Sequence, residues 1–588
     1  MGLGELTPAE RRVVEALLAG DVADLRPSAT EGEAPDDCAR VRAALVRAIV
    51  RGLAIPHAQI DPRGLRLRGA RFDERIDLDD TTFPRPLTFT GCVLTAGLTA
   101  ARAELHSVMV DDTVVGAGAT DRGSSRSAVD LAQAKLTHNL QLIGSEFTGS
   151  GDRGAVRLLG AHLGGQLDCE GGTFTNDTGP AVIADNLTAD SDVRLTGQFT
   201  GSSDLGTVRL SGAHLGGQLD CEGGTFTNDT GPALYADNLT TDNNVYLAGQ
   251  FTGSGPLGTV RLLGAHLGGE LTCEGGRFAN STGPALHADN LTTDSNVRLT
   301  GQFTGSGPRG TVRLSGAHLG GQLICGDRGS LQSGAPGALV LSAARVDGEL
   351  FLSPGFRTAG TPVRWLDLDG LTYTGLPLGA GGVGTWVSIL AHQTTSYAAQ
   401  PWQHLAAAWR ATGHESEAKR VLIAQQDDRR QRVLHPTGPL RSTWHQWLRY
   451  WGAGFMKLLT GYGYRISRTW ACLLIWTALG LIAGLATGFV HVTAPTEPGR
   501  PPTVTTVAAH APTTADPAGA PCSLIERAGL GLAWAIPLVS AGTDSTCTLN
   551  TTAPAGQWMT LASWVLNLGG WALATLVVAG YTGIVRRL

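Results

Sequence analysis

A segment reading Gly-Ala-His-Leu-Gly-Gly occurs four times, beginning at Gly160, Gly212, Gly264 and Gly316, so that consecutive copies stand 52 residues apart. A fixed period of this length is the signature of a solenoid or array, in which each repeat buries its apolar face only against its neighbours. Each unit contains two similar halves. One carries Val208, Leu210, Leu215, Leu219, Cys221 and Phe226, the other Leu234, Leu239, Val245, Leu247 and Phe251. The apolar runs are two or three residues long and separated by Gly, Asn, Asp and Thr, which makes them very short strands joined by turns. Two coils of about 26 residues per unit, stacked at the roughly 4.8 Å spacing of parallel strands, give a parallel β-helix. Side-chain direction follows from comparing copies. Val193, Val245 and Val297 are constant and face inward, while their neighbours Arg194, Tyr246 and Arg298 vary and face water.

The pattern extends beyond the four clear copies. Residues 65–78 and 339–352 superimpose on the repeat without a gap, and 134–142 forms a weaker copy, so the fold class is mainly β, with a solenoid over 61–375. Before it, Thr7-Pro8-Ala9-Glu10 reads as a capping box with Pro at the first helical position. A second helix is expected from Asp36 or Asp37 to a stop at Gly52, making 1–60 a helical cap over the first open edge. After the solenoid, 376–469 holds a short helix at 384–392, a helical hairpin turning at Gly413, and a basic juxtamembrane region.

Residues 470–490 form an uncharged apolar run long enough to cross a bilayer core of about 30 Å, and 559–585 form a second. Two transmembrane helices are therefore expected, within 470–492 and 558–588. Arg441, Arg449, Lys457, Arg465 and Arg468 precede the first, and Arg586 and Arg587 follow the second. By the positive-inside rule both termini lie in the cytoplasm and 493–557 lies outside the plasma membrane. No amino-terminal signal peptide is evident, which agrees with that topology. The outer loop opens with a Pro/Thr/Ala-rich stretch, 495–521, that reads as unstructured, followed by an apolar segment at 528–539 too short to span. A re-entrant or interfacial segment fits it.

The residues that suggest chemistry each have a plainer reading. His162, His214, His266 and His318 stand two coils, about 10 Å, apart. A shared zinc ion needs each ligand nitrogen at about 2 Å. Arg71, Lys135 and Arg345 occupy the same position in outer copies, so the file is a solvated polar edge. Cys169, Cys221, Cys273 and Cys325 are equally far apart, beyond the roughly 7 Å limit for a disulfide, and Leu78, Leu142 and Leu352 replace them elsewhere; they read as core residues. The turns 175–179 and 227–231 carry Asp, but the third copy, 279–283, has lost its carboxylate, which favours turn chemistry over calcium. Gly379 to Gly384 matches Gly-x-Gly-x-x-Gly without a preceding strand or a following acid to hold a ribose. Arg157, Arg209, Arg261 and Arg313 form a basic file, yet acidic residues outnumber basic ones from 152 to 328. A net acidic solenoid argues against nucleic acid as a partner. Cys522 and Cys547 flank the apolar segment in an expected oxidising compartment and form one credible disulfide, contributing roughly 3 kcal/mol. No catalytic, cofactor or metal residue is assigned, and no small-molecule substrate is identifiable.

Several stretches together are more specific than any one: the coil at 65–78, the hairpin Leu405-Ala-Ala-Ala-Trp-Arg-Ala-Thr-Gly-His414 continuing through 418–424, Gly461-Tyr-Gly-Tyr-Arg465, and Gly569-Gly-Trp-Ala-Leu-Ala-Thr575. The combination resembles an actinobacterial family of two-part proteins, a pentapeptide-like β-helix joined to a carboxy-terminal membrane anchor, often labelled "membrane-associated oxidoreductase". The resemblance covers nearly the whole chain and departs from true pentapeptide repeats, whose motifs run in tandem. It implies redox chemistry that no residue here is seen to supply. The residues themselves point to a membrane-anchored cytoplasmic scaffold that binds the lipid bilayer and an unidentified protein partner. A membrane pore or sensor regulated by the solenoid, and an oxidoreductase, stand as alternatives.

Overall fold

In the computed structural model, the residues described are 5–26, 39–118, 126–326, 328–379, 381–433, 444–462, 464, 466–487, 523–536 and 554–581. The chain divides into two compact units, Met1–Val421 and Leu422–Leu588.

The first unit is built on a parallel β-solenoid of about a dozen coils with four faces, one sheet of 13 strands and three of 12. Leu167 pairs with Val193, Val193 with Leu219 and Leu219 with Val245, so one coil takes 26 residues and the 52-residue unit is two coils. A single coil runs through Val208–Arg209, His214–Leu215, Leu219–Asp220 and Thr225–Asn228. Two-residue strands suffice because each pairs in parallel with the coil above and the coil below. Along each strand one side chain enters the core and its neighbour meets water. Val208, Leu210, Leu215, Leu219, Cys221 and Phe226 from one coil are all essentially inaccessible.

The widest core element is a column of phenylalanines. Phe147, Phe174, Phe199, Phe226, Phe251, Phe278 and Phe303 lie face over face, with centroids 4.6–5.1 Å apart and planes within 4–11° of parallel. The strand spacing of about 4.8 Å sets the ring spacing. At the carboxy-terminal end the column meets Phe356 edge-on and then Trp365.

The corner before each His strand explains why the sequence period is two coils rather than one. That corner needs a positive φ, met by Gly160, Gly212, Gly264 and Gly316 in one set of coils and by Asn186, Asn238 and Asn290 in the other. Gly and Asn are the residues that reach this region most readily. They are not interchangeable here. A Cβ on Gly212 would stand 2.7 Å from Asn186 Oδ1, one on Gly264 2.9 Å from Asn238 Oδ1, and one on Gly316 2.6 Å from Asn290 Oδ1. Each Asn side chain occupies the space left by the Gly one coil on, so the two kinds of coil alternate.

The first coils differ from the sequence reading. Coil lengths there are 22, 21, 32 and 27 residues, measured from Leu65 to Leu87, Val108, Leu140 and Leu167. Leu65–Arg68 therefore joins the sheet of Leu219, not that of Val208. The superposition of 65–78 on the repeat is two faces out of phase. Arg71 leaves the His file for the sheet of the phenylalanines, and Leu78 matches Leu210 rather than Cys221. Faces two apart share the same order, apolar–polar for the sheets of Val208 and Leu219 and polar–apolar for those of His214 and Phe226, so the motif alone does not tell a face from the one opposite. The copies at 134–142 and 339–352 are in phase: Lys135 pairs with His162 and His318 with Arg345.

The amino-terminal cap is part helix and part strand. Helix α1, Pro8–Ala19, carries the expected capping box between Thr7 and Glu10. The second helix, α2, is shorter than expected, Ala43–Val50. Ala39–Arg40 instead forms a strand against Ala70–Arg71, and Ala23–Asp24 pairs with Leu67–Arg68, so backbone hydrogen bonds continue the sheets past the first coil. Glu10 is fully buried, and Arg42 donates to it from Nε at 2.7 Å and from a terminal nitrogen at 2.6 Å. Those bonds hold the Glu10 carboxyl down at about 2. At the other end, Val383–Ser388 (α3) continues as a π-helical turn, Ile389–Gln393, and Ala399–Ala411 (α4) follows. Trp365, Trp386 and Trp402 are buried there, and Trp365 Nε1 donates to Gln393 at 2.8 Å. Helix α5, Glu415–Arg432, begins after a turn at Gly413, whose φ is +83°.

Truncating Phe226 to Ala opens the middle of the ring column, and a cost of about 3–5 kcal/mol is expected; a thermal midpoint unchanged from wild type would show that the column is not a source of stability. The Glu10–Arg42 contact has a pH signature. Because the folded-state pKa lies below the ordinary value of 4.5, its stabilisation is complete above that value and is lost as pH falls toward about 2. Wild type should lose stability through this window by more than Glu10→Gln, as read by thermal midpoints across pH.

Candidate functional site

The His file lies on one solenoid face and alternates with threonines, in the order His162, Thr188, His214, Thr240, His266, Thr292 and His318. The histidines are about half exposed where they meet carboxylates: His162 stands 3.7 Å from Asp190 and His318 2.9 Å from Asp347. His318, with Arg345, holds the Asp347 carboxyl below its usual range. The intervening Thr coils separate the imidazoles. Among the described residues no three His, Cys, Asp or Glu side chains converge as a metal site.

The cysteine file is entirely internal. Cys325 pairs directly with Leu299 on one side and Leu352 on the other, so leucines separate the cysteines by a full coil. Burial pushes all four thiols far above their ordinary range, leaving them as inert apolar groups. In native full-length protein, alkylation at pH 8 should leave Cys169, Cys221, Cys273 and Cys325 unmodified, and denaturant should expose all four to labelling; peptide mapping by mass spectrometry reads the result.

The arginine file is a neutralised ladder. Arg209, Arg261 and Arg313 pair with Asp185, Asp237 and Asp289 of the preceding coil, at 2.7 Å for the second and 2.5 Å for the third. Each Asp also accepts the backbone N–H of Ser211, Leu263 or Ser315 at 2.9–3.1 Å. Burial opposes ionisation of Asp289, but His287, Arg313 and the Ser315 N–H outweigh it and hold its pKa low. Tyr235 fills one gap in the file, with the Arg261 guanidinium 5.3 Å from its ring centroid. The Asn-Asp-Thr-Gly turns are held by the Asn amides, since Asn228 Nδ2 donates to Ser203 O at 2.9 Å and Pro232 O at 2.7 Å. The Asp of each such turn, Asp177 and Asp229, points into solvent. Gly379 and Gly381 take positive φ in the turn from the last coil into α3, and Gly384 lies within that six-residue helix.

In the second unit, α6, Trp444–Thr460, is amphipathic. Trp444, Leu448, Trp451, Phe455 and Leu458 recur every three or four residues and are all at least half exposed. On its other side Lys457 bonds Asp427 at 2.9 Å and Tyr450 lies under Arg430 at 4.3 Å. Helices α7, Ile466–Ala486, and α9, Pro554–Tyr581, include stretches long and apolar enough to cross a membrane, Ser467–Ala486 and Gly556–Val578. Large apolar side chains such as Leu474, Ile475, Ile482, Trp564 and Leu568 face outward from them.

The first part of the apolar segment, 528–535, falls in helix α8, Leu524–Ala535, capped by Ser523 and Glu526. It packs on α7 through glycines that sequence reasoning passed over. A Cβ on Gly484 would come within 2.7 Å of Gly531 Cα, and one on Gly480 within 2.5 Å of Ala535 Cβ. The Gly-x-x-x-Gly spacing of 480 and 484 is the available signal, since small residues let helix backbones approach closely. Trp476 lies against Gly569 of α9 and donates from Nε1 to Leu566 O at 3.0 Å. Cys522 and Cys547, the loop 495–521 and the end of the apolar segment at 537–539 lie outside the described residues. Gly484→Leu should pry α8 from α7 and cost about 1–3 kcal/mol, seen as an earlier fluorescence transition in detergent-solubilised protein; a truncation on the outward face of α7, such as Ile482→Ala, should not produce it.

No protein-family profile, curated protein or solved structure matches this chain.

Proposed function

We propose that the protein is a membrane-anchored scaffold whose polar solenoid binds a protein partner. The observation that carries the reading is the chemical contrast between the two units. The solenoid presents faces of alternating polar side chains, many of them locally neutralised, whereas the helical unit turns large apolar residues outward from α6, α7 and α9. An apolar exterior of this size in one unit fits a lipid environment. Helices α7 and α9 act as the spanning segments, and α6 lies along the interface with its tryptophans at headgroup depth. The excess of Arg and Lys before α7 and after α9 favours cytoplasmic termini in a plasma membrane. The resemblance to the actinobacterial β-helix family supports the same two-part arrangement.

A pore or sensor is the second reading. It is favoured by the close glycine contact that sets the short helix α8 against the longer apolar helices α7 and α9. The oxidoreductase label of the resembling family gives a third.

Cell fractionation tests the anchoring. Full-length protein should sediment with membranes, remain there through alkaline carbonate and leave only with detergent. Release by carbonate would refute spanning. Reporter fusions at the carboxy terminus and near residue 510 should report opposite sides of the bilayer. Purified protein showing stoichiometric flavin, haem or metal would overturn the scaffold in favour of the redox reading, and ion flux in liposomes would favour the pore.

A further inference from the structure

The arginine ladder breaks at its amino-terminal end, and a cleft lies at the break. Arg157 belongs to the same file as Arg209, Arg261 and Arg313. At the position that holds Asp185, Asp237 and Asp289 for those residues, the preceding coil has Ala132. The nearest carboxylate is Asp130, 3.9 Å away. Around Arg157 a cleft of about 470 Å³ opens across the first four coils, where coil length changes. This is the size range of small-ligand sites.

Five guanidinium groups line this cleft, against two carboxylates. Arg75 is anchored in its wall by donating from one nitrogen to Ala96 O and Ser127 O, both at 3.0 Å; carbonyls fix its position without neutralising it. Arg102 is held by Asp80 through two bonds of 2.7 Å. Arg126 and Arg153 are exposed and have no carboxylate partner among the described residues. Of the two acids, Asp79 is engaged by Thr99 Oγ1 at 2.6 Å and the Ala101 N–H at 2.8 Å, and Asp130 accepts the Ala132 N–H at 3.1 Å. The described lining is thus locally cationic on a chain whose net charge is -6. Burial lowers the Arg75 pKa, Asp130 opposes that shift, and Arg126 adds to it.

We propose that this cleft binds a small soluble polyanion carrying two or more phosphate groups. The exposed forks of Arg126 and Arg153, lining one cleft with Arg157, match tetrahedral oxyanions, which take paired charge-assisted hydrogen bonds. The described lining is guanidinium and small polar groups with no aromatic side chain, so phosphate rather than a base is the group it is best furnished to hold. The ligand class is therefore a small polyphosphate. The inference does not rest on membrane anchoring.

The test is calorimetric titration of the full-length chain in detergent with tripolyphosphate, with orthophosphate and anionic phospholipid vesicles as separate arms. Tripolyphosphate should bind with one-to-one stoichiometry, more weakly at higher salt, and orthophosphate should bind less tightly. Arg126→Ala and Arg153→Ala alter exposed side chains and should fold normally. Each should weaken binding about tenfold or more, while Arg309→Ala, an exposed arginine outside the cleft, should leave it unchanged. No binding of tripolyphosphate, equal losses in all three variants, or binding confined to the vesicles would overturn the proposal.

Discussion

Each strand of the solenoid must lie in register on a strand of the coil before, and that requirement governs the rest of the unit. At the corner before the His strand the backbone turns through a positive φ in each layer, and in the regular coils from Gly160 to Gly316 the space beside it holds one side chain for every two layers. An Asn in one coil fills it; a Gly in the next leaves it free. The phenylalanine column obeys the same rule with a different outcome, because flat rings stack at the strand spacing without competing for room. Identity is tolerated where a side chain is thin along the solenoid axis. Alternation is imposed where it reaches toward the neighbouring layer.

Charge follows the alternation as well. An Arg in one coil meets an Asp in the coil before, so a file that looks basic along the sequence is paired in space. Such partly buried pairs stabilise modestly and chiefly avoid leaving either charge unmatched. The departure at Ala132, where the acid is missing, then stands out as a local excess of positive charge. In the helical unit a different rule applies. Close backbone approach at Gly480, Gly484 and Gly531 does the packing, and large side chains are left to face outward.

Much of this was legible in the sequence because repetition averages out ambiguity. The two-coil unit, the inward file of Val193, Val245 and Val297, the buried cysteines and the capping box at Thr7 could all be read from residue spacing. The phase of the first coils could not. Residues 65–78 carry a Leu-x-Leu-x-Gly-Ala pattern close to the Val-x-Leu-x-Gly-Ala of the repeat, but opposite faces share one apolar–polar order and only coil length tells them apart. Residues 39–42 looked helical because Val41, Leu45 and Ile49 share a helical spacing, yet pairing with Ala70–Arg71 draws Ala39 and Arg40 into a strand. The Arg–Asp pairing was hidden because its partners stand 24 residues apart, neither one coil nor one repeat. The cleft joins side chains from four coils of unequal length, which no single spacing connects.

The Asn and Gly corner also says how such a solenoid can lengthen. Among the regular coils, duplicate one Asn-bearing coil and an Asn lies against an Asn; duplicate one Gly-bearing coil and its Arg loses the Asp beneath it. Insert two, and every contact is restored. The smallest heritable unit of growth is therefore a pair of coils, and the near-identity of the 52-residue copies is what duplication of that pair would leave behind.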